Sequence, residues 1–265
     1  MHPMLNTAIK AARRAGTVIM RHSDRLDRLT VETKGRADYV SEVDRMAEAE
    51  IIHILRQAYP DTAILAEESG ASEGNDLCWI IDPLDGTTNF LHGYPQFSVS
   101  IALRNKDRLE QAVIFDPNRN ELFTASRGHG AYMNNRRMRV SRVQQLDYAL
   151  LGTGFPFRSH AHLDVWMNIL RMMIKDTSGI RRAGSAALDL AHVACGRFDG
   201  FWEFGLGPWD MAAGCLLIQE AGGIVSDIRG GANYLESGNV LVGSLKLHHE
   251  MLSRIAPLLP ADVTA

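Results

Sequence analysis

Trp79-Ile80-Ile81-Asp82-Pro83-Leu84-Asp85-Gly86-Thr87-Thr88-Asn89-Phe90 is the stretch from which the rest of the chain is best read. It continues an uncharged apolar run, Leu77 to Ile81, which has the length of a buried strand. Proline offers no N–H to a strand ladder. Pro83 therefore predicts the end of the strand, with Asp82 and Asp85 presented at its carboxyl end rather than buried in it. Gly86, Thr87 and Thr88 predict the opening of a helix, whose free N–H groups and dipole would seat an anion. Thr87 can also be read as a simple N-cap, and the two readings are compatible. Two carboxylates this close are costly unless a cation lies between them. The motif thus predicts a divalent metal held beside a phosphate.

Upstream, Leu5, Ala8, Ile9, Ala12, Val18 and Ile19 recur at helical spacing, and so do Val43, Ala47, Ile51, Ile54, Leu55 and Ala58. Two helices are expected before the first strand, separated by a polar, turn-rich stretch from Lys34 to Ser41. Ser41 and Asp44 fit a capping box opening the second helix. A short strand from Ala63 to Leu65 would deliver Glu67 and Glu68, and a Gly/Ser/acid loop follows from Ser69 to Asp76. Downstream, strands are expected around Val99 to Leu103, Ala112 to Ile114 and Leu122-Phe123, with a hairpin turn at Asp116-Pro117-Asn118. The remainder alternates strand and helix. Strands are expected at Ala149 to Gly152, Gly179 to Arg182, Phe201 to Phe204, Ile224 to Ser226 and Val240 to Val242. Helices are expected from Leu163 to Ile174, from Ser185 to a stop at Gly196, from Trp209 to Glu220, and at the end. Such alternation indicates a layered α/β half. The fold class is therefore α/β, with an α+β N-terminal half (1–145) that carries most of the metal ligands. A layered α/β half (146–265) carries Asp210 and the substrate contacts, and the two work as one unit.

The chain has 265 residues, 46% of them hydrophobic, enough for a substantial core. A net charge of -3 with interspersed signs argues against a nucleic-acid-wrapping surface. Cys78, Cys195 and Cys215 lie far apart in apolar segments without CxxC spacing, and are expected to be reduced core residues in a reducing cytoplasm. The start, Met-His-Pro-Met-Leu, runs into an amphipathic pattern rather than a signal or membrane span. A cytoplasmic protein without direct membrane contact is expected.

Glu67, Asp82, Asp85 and Asp210 each follow a strand or open a helix, at the edge where α/β layers present ligands. Singly, such residues are most often turn and cap residues; together they form an oxygen-only donor set suited to Mg2+. His160, His162, His248 and His249 lack partners at ligand spacing and are expected to be solvated. Arg136, Arg137, Arg139 and Arg142 read as a solvated face, and Arg181-Arg182 as an interface or loop-supporting pair. Trp166, Met167, Leu170, Met172 and Met173 form a helical stripe for packing, in the core or on a dimer face.

Glu67-Glu68, the segment from Trp79 to Phe90, and Gly207-Pro208-Trp209-Asp210-Met211-Ala212-Ala213-Gly214 followed by Glu220-Ala221-Gly222-Gly223 resemble the signature set of the inositol monophosphatase family. Gly154-Phe155-Pro156-Phe157 and the segment from Arg182 to Leu190 are similar to the bacterial inositol-1-monophosphatases of the extragenic-suppressor type. The resemblance implies an alternating αβαβα sandwich, the fold shared with fructose-bisphosphatases, and two or three Mg2+ ions. Glu67, Asp82 and the Leu84 carbonyl would hold the first ion; Asp82, Asp85 and Asp210 would hold the second. A metal-activated water would attack the ester directly, oriented and deprotonated by Asp44 and Thr87 with Glu67 among the catalytic set, and Lys34 nearby in support. Gly86 and Thr87 would take phosphate oxygens. Gly184, Ser185, Ala186 and Glu203 would line the substrate hydroxyls, with Asp85 and Asp210 also reaching them.

Asp-Gly-Thr-Thr-Asn-Phe at 85 to 90 resembles the inositol monophosphatase wording rather than that of 3'-phosphoadenosine-phosphate nucleotidases or fructose-1,6-bisphosphatases. Hydrolysis of inositol 1-phosphate and similar small polyol phosphates is therefore implied, with lithium sensitivity and a homodimer. The extragenic-suppressor resemblance also implies a second role, binding the machinery of ribosomal RNA transcription antitermination.

Overall fold

A computed structural model of the chain describes residues 2–26, 29–35, 38–157 and 160–260. Helix α1 (Pro3–His22) is followed by β1 (Val31–Gly35), β2 (Asp38–Ser41) and helix α2 (Glu42–Ala58). Next come β3 (Ala63–Ala66), β4 (Gly70–Ser72), β5 (Leu77–Asp85) and the short helix α3 (Thr87–Leu91). A meander follows of β6 (Ser98–Asn105), β7 (Arg108–Asp116), β8 (Glu121–Ser126), β9 (Gly130–Met133) and β10 (Arg136–Arg137). Then strand and helix alternate through β11 (Leu150–Thr153), α4 (Leu163–Asp176), β12 (Gly179–Arg181), α5 (Ala186–Ala194), β13 (Gly200–Glu203) and α6 (Pro208–Glu220). The series ends with β14 (Ile224–Ser226), α7 (Tyr234–Ser237), β15 (Val240–Gly243) and α8 (Leu245–Ile255).

Among the described residues, one sheet has eight strands in the order β10-β9-β8-β7-β6-β5-β3-β4, and a second has five in the order β12-β11-β13-β15-β14. The first sheet is antiparallel apart from the β3·β5 pair. Period-two alternation then assigns the layers. Trp79 and Ile81 pack with Ala12, Val43 and Ile51 of α1 and α2, whereas Ile80 between them packs with Leu188 and Leu217 of α5 and α6. On the second sheet Phe201, Val240 and Val242 face that same α5/α6 layer, while Trp202 and Leu241 face Trp166, Ile169 and Met251 of α4 and α8. The result is an αβαβα sandwich. Helix α6 lies in its middle layer, which explains why Met211, Ala212, Leu216, Leu217 and Ile218 are all buried around its circumference. Truncating Leu217 to Ala there costs about 2–5 kcal/mol.

The structure departs from the sequence reading in several places. Between α1 and α2 lies the antiparallel hairpin β1·β2, so the turn-rich stretch is not only a loop; Arg36 and Ala37 fall outside the described residues. The Ser69 to Asp76 segment contributes the edge strand β4, paired with β3. Strand β5 does not stop at Pro83, with consequences taken up below. Asp116 closes the expected turn, its Oδ1 accepting from Asn118 N at 2.8 Å and Arg119 N at 3.0 Å. The three cysteines are free, Cys215 buried but Cys78 and Cys195 only half-buried. Met138 is buried between exposed Arg136, Arg137, Arg139 and Arg142. On α4, Trp166 and Met173 are buried, Leu170 and Met172 half-buried, and Met167 exposed. Among the described residues, no helix is long and apolar enough to cross a membrane.

Candidate functional site

Asp82 pairs with Ser100 of β6 and Asp85 with Ser98. Two residues, Pro83 and Leu84, therefore stand opposite one, Val99. This is a β-bulge, a place where a strand tolerates a residue without an N–H. The extra residue has a second effect. Residues three apart in a regular strand point to opposite faces, and the bulge restores the phase. Asp82 and Asp85 consequently share a side. The sequence reading that Pro83 ends the strand and leaves these carboxylates unburied is corrected here: they are 1% and 7% exposed.

Asp210 reaches the same place from the other half of the chain. It sits in the first turn of α6, where Pro208 is tolerated because that turn's N–H has no partner in any case, and its Oδ2 accepts from Gly207 N at 2.6 Å. Asp82, Asp85 and Asp210 each offer an oxygen, all within 4.8 Å of one another. The electrostatic cost falls on Asp82 and Asp85. Burial first, then the carboxylates of Glu67, Asp85 and Asp210, hold Asp82 well above the usual carboxylate range. Burial and Asp210 push Asp85 up to about 7, against hydrogen bonds from Ser185, Ala187 and Ala186. Glu67 lies near enough to act on Asp82, but outside the tight group of three. This buried, oxygen-only, mutually repelling set fits a hard divalent cation such as Mg2+. Leu84 N donates to Asp82 Oδ1 at 3.0 Å, and the Leu84 carbonyl lies 3.1 Å from Thr87 Oγ1, the more distant of two acceptors for that hydroxyl's single proton.

Gly86 makes the turn from β5 into α3 with φ 95°, and a Cβ there would meet the Gln96 carbonyl at 2.9 Å. Only glycine fits. Gly86 is thus the N-cap of α3, and Thr87 is not; its hydroxyl instead donates to Asp44 Oδ1 at 2.8 Å. Asp44 is fully buried at the start of α2. The capping box with Ser41 is present, Asp44 Oδ2 accepting from Ser41 N at 2.9 Å and from Ser41 Oγ at 2.5 Å. Burial raises the Asp44 carboxyl from its ordinary value despite those bonds. The backbone of Lys34 lies in β1; its side chain is outside the described residues.

The opposite wall is tied to the motif by Asn89, whose Nδ2 donates to Gln96 O at 2.7 Å, Ala183 O at 3.0 Å and Gly184 O at 3.2 Å. Asp85 Oδ2 also accepts from Ser185 Oγ, the N-cap of α5, and from Ala187 N at 2.9 Å. The resulting cavity, about 430 Å³, is lined by Glu67, Asp82, Asp85, Gly86, Thr87, Gly184, Ser185, Ala186, Glu203 and Asp210. Glu203 packs directly on Gly154, where a Cβ would meet its Oε1 at 1.8 Å. At the mouth, the Arg182 guanidinium lies 5.0 Å from the Phe155 ring and 5.3 Å from the Phe157 ring.

Four further residues carry no role in the sequence reading. Glu48, 4% exposed, accepts from Glu68 N and Ser69 N, each at 2.9 Å, and so fixes the turn beside Glu67. Its signal was available: Asp44 and Glu48 fall within the apolar stripe of α2. Asp189 is the one acid in α5, whose other residues apart from His192 are apolar, and it lines the cavity. His162 is not solvated as expected but half-buried on the cavity wall, and His248 is 2% exposed with Nε2 2.8 Å from Ser226 Oγ. His160 and His249 are exposed as expected.

Residues 1–260 match the model of the inositol monophosphatase family. The chain is 56% identical to a Pseudomonas aeruginosa protein named Nus factor SuhB, over 99% of each. Its fold superposes with a TM-score of 0.93 on the extragenic suppressor protein suhB of Bartonella henselae, 44% identical, covering 96% of this chain and 98% of that one. On an inositol monophosphatase from Anabaena the TM-score is 0.84 at 38% identity, covering 97% and 96%. A match of this extent, over a fold whose layers agree with those of the solved relatives, places the chain in the inositol monophosphatase family.

Proposed function

We propose that the protein is a Mg2+-dependent phosphomonoesterase acting on inositol 1-phosphate and similar small polyol phosphates. The observation that carries this reading is the convergence of three buried carboxylates, Asp82, Asp85 and Asp210, at a cavity also lined by Thr87, whose hydroxyl is bonded to buried Asp44 behind it. Asp82, Asp85, Asp210, Glu67 and the Leu84 carbonyl are the residues assigned to two or three Mg2+ ions. When bound, Mg2+ supplies Lewis-acid polarisation of the ester and lowers the pKa of the attacking water.

The chain's own groups do the rest. Because the Thr87 hydroxyl donates its proton toward Asp44, its lone pairs are turned to accept one from the attacking water. Asp44 is the final acceptor, and burial makes it a better base than an exposed aspartate. The N–H groups of Gly86 and Thr87 are assigned to phosphate oxygens, and Gly184, Ser185, Ala186 and Glu203 to the polyol hydroxyls, with Asp85 and Asp210 also within reach. Phosphate release from a panel of sugar, polyol and nucleotide monophosphates, with Mg2+ and with chelator, tests the reading. Release from small polyol esters that chelator abolishes is the expected result; no release from any monoester with Mg2+ overturns it.

A second reading is favoured by the name carried by the 56% identical relative, Nus factor SuhB: participation in ribosomal RNA transcription antitermination through protein contacts away from the cavity. Co-purification with the transcription machinery, retained in an Asp210→Asn variant, is the expected result. Absence of those proteins from the wild-type eluate removes this reading. A homodimer belongs to the same proposal, with exposed Met167 and Ile174 on α4 as available apolar surface; sedimentation of a single monomeric species counts against it.

A further inference from the structure

Asp189 stands one helical turn beyond Ser185 on α5, on the cavity wall, and is 1% exposed. Its Oδ1 is buried with no hydrogen-bond partner. A buried carboxyl oxygen in native structure is almost always satisfied, so an unmet acceptor beside an open cavity points to a donor that arrives with a ligand. Burial first, then the carboxylates of Glu203 and Asp85, hold the Asp189 carboxyl well above the usual carboxylate range, with Arg182 acting the other way. Asp189 is not among the oxygens that gather within 4.8 Å in the acid ring, and the Arg182 guanidinium is stacked on Phe155 and Phe157. Neither a shared cation nor an ion pair accounts for it.

We propose that Asp189 is a specificity-determining residue that accepts a hydrogen bond from a hydroxyl of the bound ester, beside Glu203, so that the pair selects neutral, polyhydroxylated alcohols over alcohols without hydroxyls. The inference rests on the phosphomonoesterase reading and deepens it. The ring of Asp82, Asp85 and Asp210 engages the phosphate end of the ester; Asp189 and Glu203 meet the alcohol end.

The test compares wild type, Asp189→Leu and Asp189→Asn on inositol 1-phosphate, glycerol 2-phosphate and phenyl phosphate, which has no hydroxyl. Leucine removes both acceptors at similar volume within an apolar helix; asparagine keeps one acceptor. Expected is a roughly ten- to hundredfold loss of kcat/KM on the two polyol esters for Asp189→Leu, carried by KM. The loss for Asp189→Asn should be smaller, phenyl phosphate turnover should stay within about twofold of wild type, and the thermal shift produced by Mg2+ should be unchanged. Equal losses on all three esters, or loss of the Mg2+ shift, overturn the assignment. Where Asp189→Leu fails to fold, Asp189→Asn decides by the same ratio. Failure of the wild type on all three esters removes the phosphomonoesterase reading itself, an outcome distinct from an active wild type whose preference the variants leave unmoved.

Discussion

Thr87 Oγ1 and Asp44 Oδ1 are 2.8 Å apart across 43 residues of sequence, joining the turn after β5 to the first turn of α2. The other Asp44 oxygen is committed to Ser41, so Asp44 has a fixed orientation and offers the Thr87 hydroxyl the nearer of its two acceptors.

Thr87→Val keeps the shape and removes that hydroxyl. In steady-state kinetics with a polyol phosphate, kcat is expected to fall about a hundred- to ten-thousandfold, the range of a lost proton-transfer partner, with KM changed little. Thr87→Ser should recover most of the rate. Equal rates in Thr87→Val and wild type would remove the pair from the mechanism.

Asp82→Asn should act in opposite directions on stability and activity. Burial and three neighbouring carboxylates penalise the Asp82 charge when no cation is bound, so the metal-free variant should melt higher than metal-free wild type by roughly 2–4 °C for each kcal/mol of relieved repulsion. Phosphatase activity should fall at least about a hundredfold, with the Mg2+-induced rise in Tm lost. Differential scanning calorimetry with and without Mg2+ reads both effects.

The pH dependence of Mg2+ stabilisation follows from Asp85. Its folded pKa, about 7, lies above the ordinary aspartate value. Between those values the folded state binds more protons than the unfolded state, so this group's contribution to metal-free stability is present at low pH and lost as pH rises through 7. Mg2+ requires the deprotonated form. The Tm increase at fixed Mg2+ should therefore be larger at pH 8 than at pH 6, and metal binding at pH 6.5 should release protons into the buffer, measurable by calorimetry in buffers of different ionisation enthalpy. A Tm increase independent of pH over this range contradicts the assignment.

Glu48→Ala leaves the N–H groups of Glu68 and Ser69 without their acceptor. A loss of about 1–3 kcal/mol in denaturant unfolding is expected, together with a higher Mg2+ concentration for half-maximal activity, since the turn carrying Glu67 is no longer held. A stability loss with unaltered Mg2+ dependence would confine Glu48 to a scaffold role.

The acids of the site were legible because each is an unneutralised charge where apolar periodicity breaks. The strand of residues 77 to 81 and the helix entrances at Ser41 and Ser185 were legible from their patterning. Pro83 was misread for a physical reason: the rule that proline ends a central strand holds for regular pairing, and whether a strand bulges is decided by its partner, here Ser98 to Ser100, far along the chain. Asp189 was passed over and His162 was read as solvated because burial against a cavity is a property of packing between α5, β13 and the segment from Gly154 to Phe157, which no local window contains. Glu48 was recoverable, as an acid on the buried stripe of its helix.

The placement of Asp210 has a consequence for how the protein is born. Asp82 and Asp85 leave the ribosome long before α6 is synthesised, and a nascent chain halted ahead of residue 208 holds two crowded acids with no third side to their cage. On the metal reading proposed above, ion capture waits for the middle layer, and occupancy of the acid cage then marks a polypeptide that has drawn both of its sheets around one helix.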